Sequence, residues 1–384
     1  MEQLLNDIYE IIKDYRQDEG KMSVQRIDNW IKQFPETDRE FILTELKSIL
    51  AHRYFSKATI KQGLEKIIKQ VSEILGFATP ADFLKVSSFI DHQPEGKSQK
   101  DFLNLLKEIS QTKFGLNISN HNPIHPRYFI YLDDLLCTGD TLFKGLAKIE
   151  GEEKKGWLYQ NINNQSHLDY LKANNAKILI LYFVIHKHNY SNFQWRLTNH
   201  LGEDISNYYT AYAFKWIEND FRNINSKLDY LFPIKDNQPQ NILDYSASLG
   251  VPNDLGVYRV PIRPTTETFF SSKENRIRFE NIMLQQGMRL YELAGNNRNV
   301  RMRPLGYGLT NHKNLGFGTL CFTYRNVPFN TPLVFWYQYH NWLPLFERKF
   351  VSYGNRNIHF SPHVVDDDYG EDTNDINPVS DLPI

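Results

Sequence analysis

The sequence predicts an α/β protein, a parallel sheet flanked by helices, with an N-terminal helical region and an aromatic-rich C-terminal extension. Three observations predict it. From residue 83 onward, short apolar runs alternate with loops and helical stretches, the order expected of parallel strands joined by crossover helices. Lys177–Ile185 (KILILYFVI) is almost unbroken in its apolar character, as suits a central strand covered on both faces. Ahead of both, residues 1–80 carry apolar positions at helical spacing.

Leu4, Leu5, Ile8, Ile11 and Ile12 fall on one helical stripe, and Ile60, Leu64, Ile67, Ile68, Val71, Ile74 and Leu75 on another that Gly76 ends. Between them, Thr37 and Glu40 have the spacing of a capping box before Phe41. Three strand-and-helix units follow. Phe83–Ile90 is expected as a strand, DHQPEGKSQ as a loop and Asp101–Ile109 as a helix. Tyr128–Leu132 is the next strand, DDLLCTGD its loop and Thr141–Lys148 its helix. His167–Ala173 is helical and feeds the Lys177–Ile185 strand. Further helices are expected over Tyr208–Phe221 and over Asn275–Ala294, the latter stopped by Gly295. Leu315–Phe350, dense in aromatics and broken by NVPFNTP, reads as strands and loops. The expected domains are a helical leader over 1–80, the sheet core over 81–260, an aromatic and basic region over 261–364, and a disordered acidic tail over 365–384.

A chain of 384 residues exceeds one average domain and can bury a sizeable core. Its 44 Lys and Arg against 45 Asp and Glu give a net charge of -1, which lacks the signature of a dedicated nucleic-acid binder. That balance conceals a division. Asp366, Asp367, Asp368, Glu371, Asp372, Asp375 and Asp381 crowd the tail, so the remainder is net basic. The two cysteines, Cys137 and Cys321, lie far from any C-x-x-C pattern and fit a reducing, cytoplasmic setting. The N-terminus interleaves charge with apolar residues, and no 18-residue apolar run occurs, so neither a signal peptide nor a membrane span is expected.

The informative segment is Phe129–Thr141, FIYLDDLLCTGDT. A buried strand delivers Asp133 and Asp134 near its C-terminal end, where ligands bind in open α/β sheets. Thr138, Gly139, Asp140 and Thr141 then turn directly into a helix, so backbone N–H groups, two hydroxyls and the positive helix end face one small volume. Such a nest suits a phosphate, and carboxylates accept hydrogen bonds from vicinal sugar hydroxyls. Together they measure out a ribose 5-phosphate.

This pattern resembles the phosphoribosyl pyrophosphate (PRPP) loop of type I phosphoribosyltransferases. The resemblance implies that Asp133 and Asp134 hold the ribose 2- and 3-hydroxyls and that Thr138, Gly139, Asp140 and Thr141 hold the 5-phosphate. One unit earlier, where that family carries its pyrophosphate loop, Gly96, Lys97 and Ser98 are implied to stabilise the leaving pyrophosphate. Mg2+ is implied as a substrate-bound cofactor, held by pyrophosphate and ribose oxygens near Asp133 with no dedicated protein ligands. Three residues depart from the pattern. Cys137 replaces a small hydroxyl residue, Tyr131 replaces an aliphatic one, and Asp140 brings a carboxylate to the phosphate turn, which requires its side chain to point away. Cys137 has no identifiable partner base and reads as a small loop residue. A rival outline, a P-loop NTPase built on Gly96–Ser98 and Asp134, needs a glycine where Asp91 stands and leaves the T-G-D-T turn unexplained.

With WIKQF (30–34) and NVPFNTPLVFWY...NWLPLFER (326–348), the chain also resembles the phosphoribosyltransferase-like proteins of bacterial conflict systems, including those encoded beside retron reverse transcriptases. That branch implies an anti-phage effector restrained by protein partners, with a reverse transcriptase and its nucleic acid among them. Two other readings stay open: a subunit that senses PRPP or a nucleotide without turnover, and a protein-interaction subunit with a vestigial pocket. Arg263, Lys273, Arg276, Arg278, Arg289, Arg298, Arg301 and Arg303 precede the aromatic stretch, either as a nucleic-acid face or as a solvated helix face next to an aromatic core or protein interface. Phe317, Tyr324 and Trp336 are candidates to stack on an acceptor base. His121 with His125, and His186 with His188, have ligand-like spacing, but nothing completes either set and no transition metal is expected.

Overall fold

A computed structural model describes the whole chain except residues 92, 94–96, 120–122, 148, 151–153, 221–226, 311, 339–340 and 349–384. The acidic tail, Gly96 and His121 therefore lie outside the described residues. Two compact units share the chain. One comprises Phe55–Asp220 with Thr323–Asn326, and the other comprises Met1–Tyr54, Phe221–Phe322 and the stretch from Val327, each less the excepted residues.

The Phe55–Asp220 unit is built on a four-stranded sheet whose order follows the chain. Its strands are β1 (Ser87–Phe89), β2 (Tyr128–Leu136), β3 (Lys177–His186) and β4 (Tyr209–Ile217), all parallel. Tyr128 lies opposite both Ser87 and Lys177, and Ile178 opposite Tyr209, which sets the register. β3 is buried along nearly its whole length, as its apolar run requires. Helices cover both faces. On one, Leu142, Leu146, Tyr170, Leu171, Phe193 and Leu197 pack against Phe129, Tyr131, Ile178 and Ile180. On the other, helix Lys57–Ile74 lies close: a Cβ on Gly63 would stand 2.3 Å from the ring of Phe183, which stacks on Phe214. Gly63 is there because no side chain fits.

Four local expectations are corrected. Tyr208–Phe221, expected as a helix, is the strand β4 over Tyr209–Ile217: pairing with β3 satisfies its backbone, and its aromatics at 212, 214 and 216 recur at strand spacing. The Phe83–Ile90 strand is shorter, because Thr79 caps a helix over Pro80–Lys85 by accepting the Asp82 N–H, leaving only Ser87–Phe89 extended. β2 runs past Leu132 to Leu136, held by β3 as far as Ile185. Thr37 caps nothing, since helix Glu36–Arg53 begins after Pro35.

In the other unit, helices Glu2–Ile12, Val24–Ile31 and Glu36–Arg53 share a core with helix Lys273–Ala294 and the aromatic segment. Trp30 donates to the Val334 carbonyl at 2.9 Å and stacks on Phe335, while Tyr15 meets Phe346 edge-on. The aromatic segment is largely interior: Phe322, Phe335, Trp336 and Phe346 are buried. Arg276, from the basic run, is also interior. It pairs with Glu267 and Glu280, Glu280 pairs with Arg259 at 2.6 Å, and the Leu228 and Tyr230 carbonyls take its remaining protons. No helix among the described residues is long and apolar enough to cross a membrane.

Candidate functional site

The site arises from a mismatch in strand length. β1 stops at Phe89, opposite Ile130, whereas β2 continues to Leu136 and carries Asp133 and Asp134 past the end of its neighbour. Ser98 enters this notch as the first residue of helix Ser98–Phe114. Its Oγ lies 2.8 Å from Asp133 Oδ1 and 3.0 Å from Asp134 Oδ1, so one hydroxyl proton serves two carboxyl groups. The loop after β1 and the acid pair of β2 are thus joined directly.

Other neutral donors complete the surroundings. Gln93 Nε2 donates to Asp133 Oδ2 at 2.9 Å and approaches the Tyr131 hydroxyl at 3.3 Å. Asn326 Nδ2 donates to Asp134 Oδ2 at 3.1 Å. The Asp134 and Leu135 backbone N–H groups donate to Asp133 Oδ1 and Asp134 Oδ1. All four carboxyl oxygens therefore accept hydrogen bonds, and the pair is buried, Asp133 being 6% and Asp134 3% exposed.

Burial pushes the Asp133 carboxyl up to about 7, aided by the neighbouring Asp134 charge and opposed by its donors. Asp134 is raised too, chiefly by burial, against the donors Asn326 and Ser98. Two carboxyls sharing one site resist double ionisation, so the pair titrates as a unit. The helix N-terminus at Ser98 partly offsets this by favouring negative charge. Below the pair, Tyr131 stacks on Tyr182, and burial together with the acid charges pushes both phenols up. Tyr131, which departs from the expected aliphatic, is thus part of the polar floor.

The turn that follows is held in shape. Gly139 has φ +76°, and a Cβ there would stand 3.1 Å from Phe193 Cβ and 3.4 Å from the Asn189 carbonyl oxygen. Thr138 Oγ1 accepts from the Asp140 N–H at 3.4 Å, and helix Asp140–Ala147 begins at once. The Asp140 carboxylate is paired with Arg196 at 3.2 Å and Lys144 at 3.0 Å. Thr141 is exposed and Thr138 half-buried. Cys137 is buried beside them, and His186 Nδ1 lies 2.9 Å from the Leu136 carbonyl oxygen. Lys97 is the extended residue just before helix Ser98–Phe114.

Asp133, Asp134 and Ser98 are in direct contact, and Thr138–Thr141 follow the acid pair on the same strand and turn. Gln93 and Asn326 were missed. Gln93 sits in a loop of polar residues with no periodic signal, and Asn326 lies 192 positions from its partner. The stacking candidates part: Trp336 is a core residue donating to the Thr331 carbonyl, whereas Tyr324 belongs with Asn326 to the short segment Thr323–Asn326. Among the described residues, no group of three His, Cys, Asp or Glu gathers as a metal site.

The PRTase-CE family model matches residues 27–348 of the chain. No curated protein and no solved structure matches it.

Proposed function

Because the chain belongs to the PRTase-CE family and is phosphoribosyltransferase-like, we propose that it binds PRPP and acts at ribose C1. The observation that carries this reading is the Ser98 hydroxyl bridging Asp133 and Asp134, which joins the pyrophosphate-loop position to the ribose-binding position. In the proposed complex the two carboxylates accept from the ribose 2- and 3-hydroxyls. The N–H groups of Gly139, Asp140 and Thr141 and the threonine hydroxyls hold the 5-phosphate at the helix N-terminus. Lys97, with the backbone at Gly96 and Ser98, holds the pyrophosphate.

Reaction breaks the bond from C1 to the pyrophosphate oxygen, and its electron pair departs with pyrophosphate. An acceptor nucleophile, or water, supplies the pair for the new bond at C1. Positive charge develops on the ring as the leaving group departs, and the adjacent acid pair stabilises it. The oxygen-rich pair suits a hard cation, so Mg2+ would be held by the substrate, and Asp133 is the carboxylate that would assist it. When bound, it neutralises pyrophosphate charge.

We infer the setting from the resemblance to conflict-system proteins: a cytoplasmic effector of anti-phage defence, restrained by protein partners that include a reverse transcriptase with its nucleic acid. A second reading, PRPP sensing without turnover, is favoured by the protein donor that each carboxyl oxygen already has. Incubation with PRPP, Mg2+ and cell extract separates the two. Pyrophosphate release that Asp134→Asn abolishes supports the transferase; PRPP binding without release supports the sensor.

A further inference from the structure

Asn326 raises a question of access. Asp134 is buried, its Oδ1 already accepts from the Ser98 hydroxyl and the Leu135 N–H, and its Oδ2 accepts from Asn326, so a sugar hydroxyl approaching Oδ2 meets the carboxamide there. Three side chains occupy the oxygens of the acid pair, Ser98 on both residues, Gln93 on Asp133 and Asn326 on Asp134, and they are held differently. Ser98 is fixed in the first turn of a 17-residue helix. Gln93 also leans on the Tyr131 hydroxyl and, through its backbone N–H, on Gln99 Oε1. Asn326 belongs to a four-residue return of the chain, Thr323–Asn326, whose neighbours on both sides belong to the other unit. Within the sheet-bearing unit this strap is pinned by the Tyr324 N–H on the Phe55 carbonyl at 2.9 Å and by Arg325 on Asp101 at 2.7 Å. Its Asn326 carboxamide then donates to Asp134 Oδ2, as a ribose hydroxyl would.

We propose that the Thr323–Asn326 strap is a built-in competitor for the ribose position, and that substrate binding exchanges the Asn326 carboxamide for a sugar hydroxyl on Asp134. The inference rests on the PRPP reading above. It assigns Asn326 a place in that site and makes access to the acid pair depend on a distant stretch of chain. The exchange is close to isoenergetic in kind, because one neutral donor to a carboxylate replaces another. Removing the carboxamide leaves a buried oxygen unsatisfied in the free protein, and a ligand that satisfies it then gains affinity. Arg325 acts through Asn326, by holding the strap, and is a positioning residue.

The test is titration calorimetry of PRPP with Mg2+ into the full chain, wild type against Asn326→Ala and Arg325→Ala. Deuterium exchange over 323–326 is followed with and without PRPP. Binding at least fivefold tighter to Asn326→Ala, a smaller gain for Arg325→Ala, and faster exchange at the Tyr324 amide in wild type on adding PRPP would support the strap. The two variants probe it at different points, so misfolding of one leaves the other decisive. Unchanged or weaker binding to the variants, with wild type binding normally, overturns the strap and leaves the PRPP reading standing. Absence of PRPP binding to all three proteins removes the PRPP reading, and the strap falls with it.

Discussion

The Asn326 carboxamide lies 3.1 Å from the Asp134 carboxylate, although 192 positions of chain separate them. A residue in the C-terminal third thus completes the surroundings of an acid pair presented by the second strand of the sheet. The contact makes the pair's energetics measurable, because each carboxyl oxygen has a named donor.

Asp133→Asn is expected to stabilise the fold while abolishing pyrophosphate release. The carboxyl is buried and raised, so its ionised form costs free energy that a neutral amide does not. Each pKa unit is worth about 1.4 kcal/mol, which places the gain near pH 8 at a few kcal/mol at most. Urea unfolding followed by circular dichroism, alongside a pyrophosphate assay, checks both halves.

The same group sets a pH dependence. The folded-state pKa of Asp133, about 7, lies above its ordinary value of 3.8. Between these values the folded state binds more protons than the unfolded one, so this carboxyl's contribution lowers stability as pH rises from about 4 to about 7. The difference in unfolding free energy between Asp133→Asn and wild type should widen across that window and level off above it. A gap that is constant from pH 5 to pH 8 would contradict the raised value.

Gly139→Ala is expected to cost about 1–3 kcal/mol, because the residue holds φ +76° and its new Cβ would press on Phe193. As the turn opens the helix proposed to hold the 5-phosphate, PRPP affinity should fall as well. Thermal unfolding and calorimetry on one preparation report the two effects.

Glu280→Ala should lose about 3–5 kcal/mol, since it leaves the buried Arg259 without its carboxylate and Arg276 with Glu267 as its remaining carboxylate partner. Denaturant unfolding measures this. A loss below about 1 kcal/mol would show that the arginines are solvated.

What was legible beforehand was local. The acid pair, the T-G-D-T turn and the helix after it could be read because a buried strand, a glycine turn and a helix start all leave marks within a few residues. β3 was legible for the same reason: a run of β-branched and aromatic residues long enough for a covered strand. β4 was not, because two alanines and scattered charge imitate a helix until β3 supplies the pairing. The Ser98 bridge could be placed only to the extent of naming its loop, since the strand mismatch that brings it to the carboxylates is tertiary. Arg276 carried a charge that hid its burial, which depends on Glu267 and Glu280 closing around it.

The most direct measurement of the central claim is the affinity of the full chain for PRPP with Mg2+, compared between wild type and the double variant Asp133→Asn, Asp134→Asn. Binding to wild type that weakens at least a hundredfold in a folded double variant is the predicted result. No binding to wild type, or equal affinity for both proteins, would contradict it.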